Sequence, residues 1–124
     1  MKEHSGIILY CEDENVIRKT TRRMLEELGY KVIIAVNGDE ALTRYQAGKD
    51  TIDVIILDNQ LPGMSGYEVY VELKKINPDV RVIMCSGYTG GKEYELARKA
   101  GIRHFLPKPY TFEELSDALD DIFK

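Results

Sequence analysis

Two adjacent acids, Glu12 and Asp13, a third acid at Asp58, a hydroxyl at Ser86 and an ammonium at Lys108 form a set suited to phosphoryl chemistry. Carboxylates gathered in one place repel one another, so such a group needs a cation to be stable. An all-oxygen donor set suits Mg²⁺, which takes a few carboxylates plus waters and leaves positions open for a phosphoryl oxygen. A carboxylate such as Asp58 is a weak nucleophile, but it can attack phosphorus to give an acyl phosphate. That step needs positive charge around the transferring group, which Mg²⁺ and Lys108 would supply. A short hydroxyl such as Ser86 would bind one phosphoryl oxygen.

Each of these residues has an ordinary structural explanation when taken singly. Glu12-Asp13-Glu14 is the kind of acidic run that a helix N-terminus attracts. Asp58 precedes Pro62-Gly63 and could be a turn-former, and Ser86 before Gly87 could be a loop residue. Lys108, between two prolines, could be an exposed charge. Chemistry becomes the better reading only if the chain brings them together.

Five apolar runs alternate with five segments of helical period. The predicted strands are Ile7–Cys11, Lys31–Val36, Val54–Leu57, Val80–Cys85 and Arg103–Leu106. Several are apolar at nearly every position, the pattern of a parallel sheet covered on both faces. After Glu14, the residues Ile17, Met24, Leu25 and Leu28 share one helical face, and Gly29 is a stop signal. Asn37 with Glu40, Ser65 with Glu68 and Thr111 with Glu114 have capping-box spacing. The segment opened by Ser65 ends at Asn77-Pro78, where proline stops a helix. The segment Gly91–Ala100 has the faintest stripe (Tyr94, Leu96, Ala97, Ala100). The last has a clear one in Leu115, Ala118, Leu119, Ile122 and Phe123.

Five βα units in series imply right-handed crossovers and a three-layer α/β sandwich. A flavodoxin-like (βα)5 arrangement with strand order 2-1-3-4-5 is expected, with its crevice at the carboxyl ends of strands 1 and 3. The chemistry-bearing residues fall at that edge. Strand 1 runs out into Glu12-Asp13, strand 3 into Asp58, strand 4 into Ser86, and strand 5 through Pro107 into Lys108.

The 124 residues suit one domain with a single core, and 44% apolar with 31% charged residues is ordinary for a soluble chain. No apolar run is long enough to span a bilayer, and the first residues lack a signal-peptide pattern, so a cytoplasmic location is the expectation. A formal charge of −4 and the absence of a basic cluster argue against direct nucleic-acid binding. Cys11 and Cys85 read as small buried hydrophobes, and their spacing fits no zinc pattern.

On these residues the chain resembles a receiver domain of a two-component response regulator over about Gly6 to Phe123. The matching segments are Ile7-Ile8-Leu9-Tyr10-Cys11-Glu12-Asp13-Glu14, Asp53-Val54-Ile55-Ile56-Leu57-Asp58 leading into Leu61-Pro62-Gly63-Met64-Ser65-Gly66, Val82-Ile83-Met84-Cys85-Ser86-Gly87-Tyr88, and Phe105-Leu106-Pro107-Lys108-Pro109-Tyr110. Each is weak alone; the four in order are specific. The resemblance implies that Asp58 is the phosphoacceptor and that Glu12, Asp13 and Asp58 hold Mg²⁺ with the backbone carbonyl of Gln60. Lys108 would pair with the phosphoryl group, and Lys108–Pro109 would be cis. Ser86 and Phe105 would be coupled switch residues, altering the face of helix 4, strand 5 and helix 5 on phosphorylation.

Three departures stand out. Glu12 replaces the more usual Asp and has a longer reach, compatible with metal binding through water. Phe105 replaces Tyr and has no hydroxyl. Gln60 and Tyr88 flank the site two residues after Asp58 and Ser86, where Tyr88 would screen the acyl phosphate from water. The implied partners are a sensor histidine kinase or histidine phosphotransfer domain upstream, and an output protein or fused domain downstream. A phosphorylation-dependent dimer is compatible with the resemblance. The chain would catalyse its own phosphorylation and dephosphorylation without being a turnover enzyme.

Rival readings fit less well. A haloacid-dehalogenase-type phosphatase requires a second Asp as general acid where Gln60 stands. A nucleotide-binding fold lacks its glycine-rich turn after strand 1, and Ser86–Glu93 lacks the first Gly and the final Ser/Thr of a P-loop. A receiver retained only as an interaction surface would have no need of the five chemical residues.

Overall fold

The computed structural model describes residues 5–87 and 91–123. Five strands alternate with five helices: β1 (Ile7–Cys11), α1 (Asn15–Glu27), β2 (Lys31–Ala35), α2 (Gly38–Gly48), β3 (Val54–Asp58), α3 (Gly66–Ile76), β4 (Val82–Ser86), α4 (Lys92–Ala100), β5 (His104–Pro107) and α5 (Phe112–Ile122). The strands pair in parallel in the order β2-β1-β3-β4-β5. The flavodoxin-like expectation therefore holds, and the sheet reverses its winding between β1 and β3, the point beside whose carboxyl ends sheets of this order bind their ligands.

The continuous apolar character of the strands has a direct cause. Alternate residues enter different cores: Leu9, Cys11, Ile55, Leu57, Val82 and Met84 pack toward α2, α3 and α4, through Tyr45, Val69, Leu73 and Ala97. Their neighbours Ile8, Tyr10, Val54, Ile56, Ile83 and Cys85 pack toward α1 and α5, through Leu25, Leu115 and Leu119. With water excluded from both faces, a polar residue on either side of β3 would lose its hydration without a partner. Each fully buried aliphatic side chain contributes on the order of 1.5–3 kcal/mol before the entropy of ordering it.

Element ends move by one or two residues from the expected ones. The Val36 N–H donates to Glu40 Oε1 at 3.1 Å, which ends β2 at Ala35. The same bond corrects the expected Asn37–Glu40 capping box. Asn37 Oδ1 accepts from the Glu40 N–H at 2.8 Å, but the Glu40 carboxylate reaches past the cap to Val36. Ser65–Glu68 and Thr111–Glu114 are complete capping boxes, each satisfying two backbone donors. β4 starts at Val82 because Val80 is held in a turn by its N–H bond to the Asn77 carbonyl.

The loop between β3 and α3 is shaped by two glycines. Gly63 has φ +80°, a left-handed conformation that glycine adopts at little cost. A Cβ on Gly66 would stand 2.6 Å from the Asp58 carbonyl oxygen and 2.9 Å from Asn59 Cα. Only glycine lets the start of α3 approach so near the end of β3, and this closeness holds the carboxyl end of β3 in place.

Candidate functional site

Glu12 is 2% exposed, and its segment is built by α1 as much as by β1. The Glu12 N–H donates to the Ala35 carbonyl, extending the β1–β2 pairing one step, and Glu12 Oε2 accepts from the Glu14 N–H at 3.1 Å. Arg18 reaches back from α1 and donates through Nη1 to the carbonyls of Glu12 (3.0 Å) and Asp13 (3.2 Å). Its Nη2 bonds Asn15 Oδ1 at 2.8 Å. This clamp was not read from the sequence, where Arg18 is one of several basic residues on an outward helical face.

Asp58 ends β3 and is 6% exposed. Both of its carboxylate oxygens are engaged: Oδ1 accepts from the Gln60 N–H at 3.1 Å and Oδ2 from Lys108 Nζ at 2.9 Å. Lys108 Nζ also donates to Glu12 Oε1 at 3.0 Å, so one ammonium bridges two buried acids, one just past β1 and one at the end of β3. The Lys108 N–H bonds the Ser86 carbonyl at 2.9 Å, which continues the β4–β5 ladder and aims the lysine along the carboxyl edge. The Lys108–Pro109 bond is cis, as expected.

Electrostatics follow from this arrangement. Burial raises the Glu12 carboxyl above its ordinary value, with the Asp58 charge adding to the rise and the Lys108 bond opposing it. Burial disfavours the Lys108 ammonium, but its bonds to Asp58 and Glu12 outweigh that and hold it well above the ordinary lysine value. Burial, reinforced by the nearby acids, pushes the Cys11 thiol up to about 12 and raises that of Cys85. Both cysteines are free, buried and protonated at neutral pH, in accord with their reading as small hydrophobes.

Glu12, Asp13 and Asp58 each offer a carboxylate oxygen, and these atoms all lie within 4.8 Å of one another. Glu12 and Asp58 are buried while Asp13 is exposed, so the group is closed on the protein side and open to solvent on the other. Three oxygen donors in such an arrangement fit a small hard cation. Gln60 is exposed, and its N–H is bonded to Asp58.

Ser86 ends β4, is 3% exposed, and lies one residue beyond the Asp58–Cys85 pairing. Phe105 pairs with Met84 in the β4–β5 register and is half-buried, its ring centroid 4.4 Å from that of Tyr94 on α4. Tyr88 lies outside the described residues. The structure thus brings Glu12, Asp13, Asp58 and Lys108 into one cluster, sets Ser86 on the adjoining strand end, and puts Phe105 farther back on β5.

A family model described as the response regulator receiver domain matches residues 8–120. The chain belongs to this family. The receiver is 31% identical over 123 residues to the sensor kinase CckA of Brucella abortus, an alignment covering 97% of this chain and 13% of the kinase. It spans 13% and 46% of the lengths of the first two curated relatives it matches. A response regulator receiver domain protein from Clostridium thermocellum superposes with a TM-score of 0.89 at 33% identity, covering 94% of this chain and 93% of that one. The receiver domain of sensor histidine kinase PA1611 from Pseudomonas aeruginosa superposes with a TM-score of 0.87 at 27% identity, over 98% of this chain and 100% of that one. That structure holds a magnesium ion coordinated in its active-site cleft. The present receiver is accordingly a signalling module of the two-component type. Among its described residues, no helix is long and apolar enough to cross a membrane.

Proposed function

We propose that this receiver takes a phosphoryl group onto Asp58 from a phosphohistidine, in a reaction that uses Mg²⁺ held by Glu12, Asp13 and Asp58 with the Gln60 carbonyl. The observation that carries the reading is the Lys108 ammonium bridging Asp58 (2.9 Å) and Glu12 (3.0 Å) within an otherwise acidic cluster. When bound, the metal supplies charge neutralisation for the phosphoryl oxygens. Asp58 is oriented for attack by the Gln60 N–H and Lys108, each bonded to a different oxygen. Its oxygen forms a bond to phosphorus as the phosphorus–nitrogen bond breaks, and the imidazole leaves with the electron pair. Lys108 then balances the charge of the acyl phosphate, and the Ser86 hydroxyl donates to a phosphoryl oxygen. The same groups would assist hydrolysis of the acyl phosphate, so the chain controls its own state without turning over a substrate.

Ser86 and Phe105 form the readout of this proposal. Movement of Ser86 toward the phosphoryl group frees space that the Phe105 ring enters, leaving Tyr94 and altering the surface of α4, β5 and α5. The donor is a sensor histidine kinase or phosphotransfer domain in the cytoplasm, and the changed face meets an output protein, a fused domain or a second copy. Intact mass after incubation with acetyl phosphate tests the central step. A gain of one phosphoryl group that needs both Mg²⁺ and Asp58 is expected. A gain that persists in Asp58→Asn, or none from either acetyl phosphate or a phosphohistidine donor, would overturn the reading.

A further inference from the structure

Behind the acid pair, on the side of the sheet covered by α1 and α5, three hydroxyls meet in the core. Thr21 Oγ1 lies 2.6 Å from Tyr110 Oη, which lies 3.4 Å from Tyr10 Oη. Tyr10 is 1% and Thr21 2% exposed, and Tyr110 is half-buried. A tyrosine hydroxyl carries its proton at neutral pH, so both tyrosines have one to share. A buried hydroxyl is unfavourable unless it is bonded. Apolar side chains of the same shape would fill this space without that requirement. Thr21 interrupts an otherwise apolar helical face between Ile17 and Leu25.

The three residues belong to segments that carry opposite charges of the site. Tyr10 stands two residues before Glu12 on β1. Thr21 is on α1, the helix whose Arg18 clamps the carbonyls of Glu12 and Asp13. Tyr110 stands two residues after Lys108, in the loop between β5 and α5. The backbone of that loop is held by the Lys108 N–H at Ser86 on one side and by the Thr111 capping box on the other. Neither attachment joins it to α1. The Tyr110–Thr21 bond does, and its 2.6 Å separation is at the short end of the range for O–H···O bonds.

We propose that Tyr110 and Thr21, with Tyr10 in a lesser part, are positioning residues that lock the lysine-bearing loop to α1 and so keep Lys108 Nζ within reach of both Glu12 and Asp58. The inference rests on the reading of Asp58 as phosphoacceptor and Lys108 as its counter-charge. Small displacements of a charged group from its working position reduce rates steeply. Loss of the hydroxyl bond lets the loop sample positions in which the ammonium serves one acid and not the other. The 3.4 Å contact to Tyr10 is long, so it contributes less than the Thr21 bond.

The test uses the whole chain as Tyr110→Phe, Thr21→Val, Thr21→Ser, Tyr10→Phe and the Tyr110→Phe/Thr21→Val pair. Three quantities are measured: the maximal phosphorylation rate from acetyl phosphate at saturating Mg²⁺, the Mg²⁺ Kd by calorimetry, and the Lys108 side-chain ammonium resonance in metal-free protein. Tyr110→Phe and Thr21→Val should each slow the maximal rate by about three- to tenfold and leave the Mg²⁺ Kd within about twofold, as expected for loss of one hydroxyl bond. The pair should be no slower than Tyr110→Phe alone, because that variant already removes the bond that Thr21→Val breaks. Thr21→Ser should retain the rate, and Tyr10→Phe should fall between wild type and Tyr110→Phe. Lower thermal stability with an unchanged maximal rate would make the hydroxyls merely structural and overturn the proposal. If wild type takes no phosphoryl group at all, the underlying reading fails, and the resonance alone decides on the network. A shift or broadening in Tyr110→Phe and Thr21→Val supports it, and an unchanged signal sinks it.

Discussion

Replacing Lys108 by methionine removes the ammonium that bonds two buried acids while keeping an unbranched side chain in its place. The distances of 2.9 Å to Asp58 and 3.0 Å to Glu12 correspond to about 5–6 kcal/mol each at an effective dielectric of about 20, before the desolvation of three charges is subtracted. Breaking a buried pair by removing one partner costs about 3–5 kcal/mol, because an uncompensated charge stays behind. The Lys108 side chain retains 19% exposure, so water partly replaces it and a loss of about 3 kcal/mol is expected. For a chain of this length that is a fall of about 12 °C in Tm. The loss should be measured by thermal unfolding in chelator at neutral pH and should diminish toward acid. Glu12, already raised by burial, then takes a proton and one of the two orphaned charges disappears. Lys108 is held above its ordinary value, so its stabilisation is fully present at neutral pH and is lost only as pH rises through that raised value. Added Mg²⁺ should narrow the deficit, since binding to the folded state alone stabilises it with the logarithm of metal concentration. Without a resident ammonium to share the carboxylates, the variant should also bind Mg²⁺ more tightly, by at least about tenfold. A Tm within about 3 °C of wild type in chelator, together with weaker Mg²⁺ binding, would refute the claim that Lys108 neutralises this cluster.

Other expectations follow from the same geometry. Mg²⁺ affinity should fall as pH is lowered, with an onset above the ordinary glutamate value of 4.5, because burial raises Glu12 and a proton there competes with the metal. Calorimetric titrations across pH would show this, and an onset below 4.5 would contradict it. Gly66→Ala would press a methyl against the Asp58 carbonyl and Met84 Sδ (2.6 and 2.9 Å). It should cost about 1–3 kcal/mol in denaturant unfolding and slow phosphorylation by moving the end of β3. Ser65→Ala removes half of a complete capping box at the start of α3 and should cost about 1 kcal/mol by the same assay. Asn37→Ala should be measured beside it, where Asn37 caps without a reciprocal bond.

Much of the architecture was legible because the chain repeats one local rule. Runs such as Val54–Leu57, apolar at each position, have no stable home except a strand covered on both faces, and five of them separated by helical stripes leave few topologies. That the acids, hydroxyl and lysine stand near one another was legible for a related reason: parallel strands deliver all their carboxyl ends to one edge. Ser65 and Thr111 were readable because a capping box is local, set by residues three apart.

What the sequence could not show depends on contacts between distant segments. Asn37–Glu40 has the same spacing as the two complete boxes, yet the Glu40 carboxylate is drawn to Val36, a choice made by where β2 ends. Arg18 gives no sign in the sequence of folding back over Glu12 and Asp13. Thr21 and Tyr110 are 89 residues apart, and only the packing of α1 against the β5–α5 loop makes them partners. Residue types and their period thus determined the sheet, its covered faces and which polar residues stand at its carboxyl edge. The tertiary structure decided which carboxylates share Lys108, how the acid loop is clamped, and which buried hydroxyls tie the lysine's loop to α1. Hydrogen bonds and ion pairs between segments rest on ångström-scale placement, to which composition and periodicity are blind.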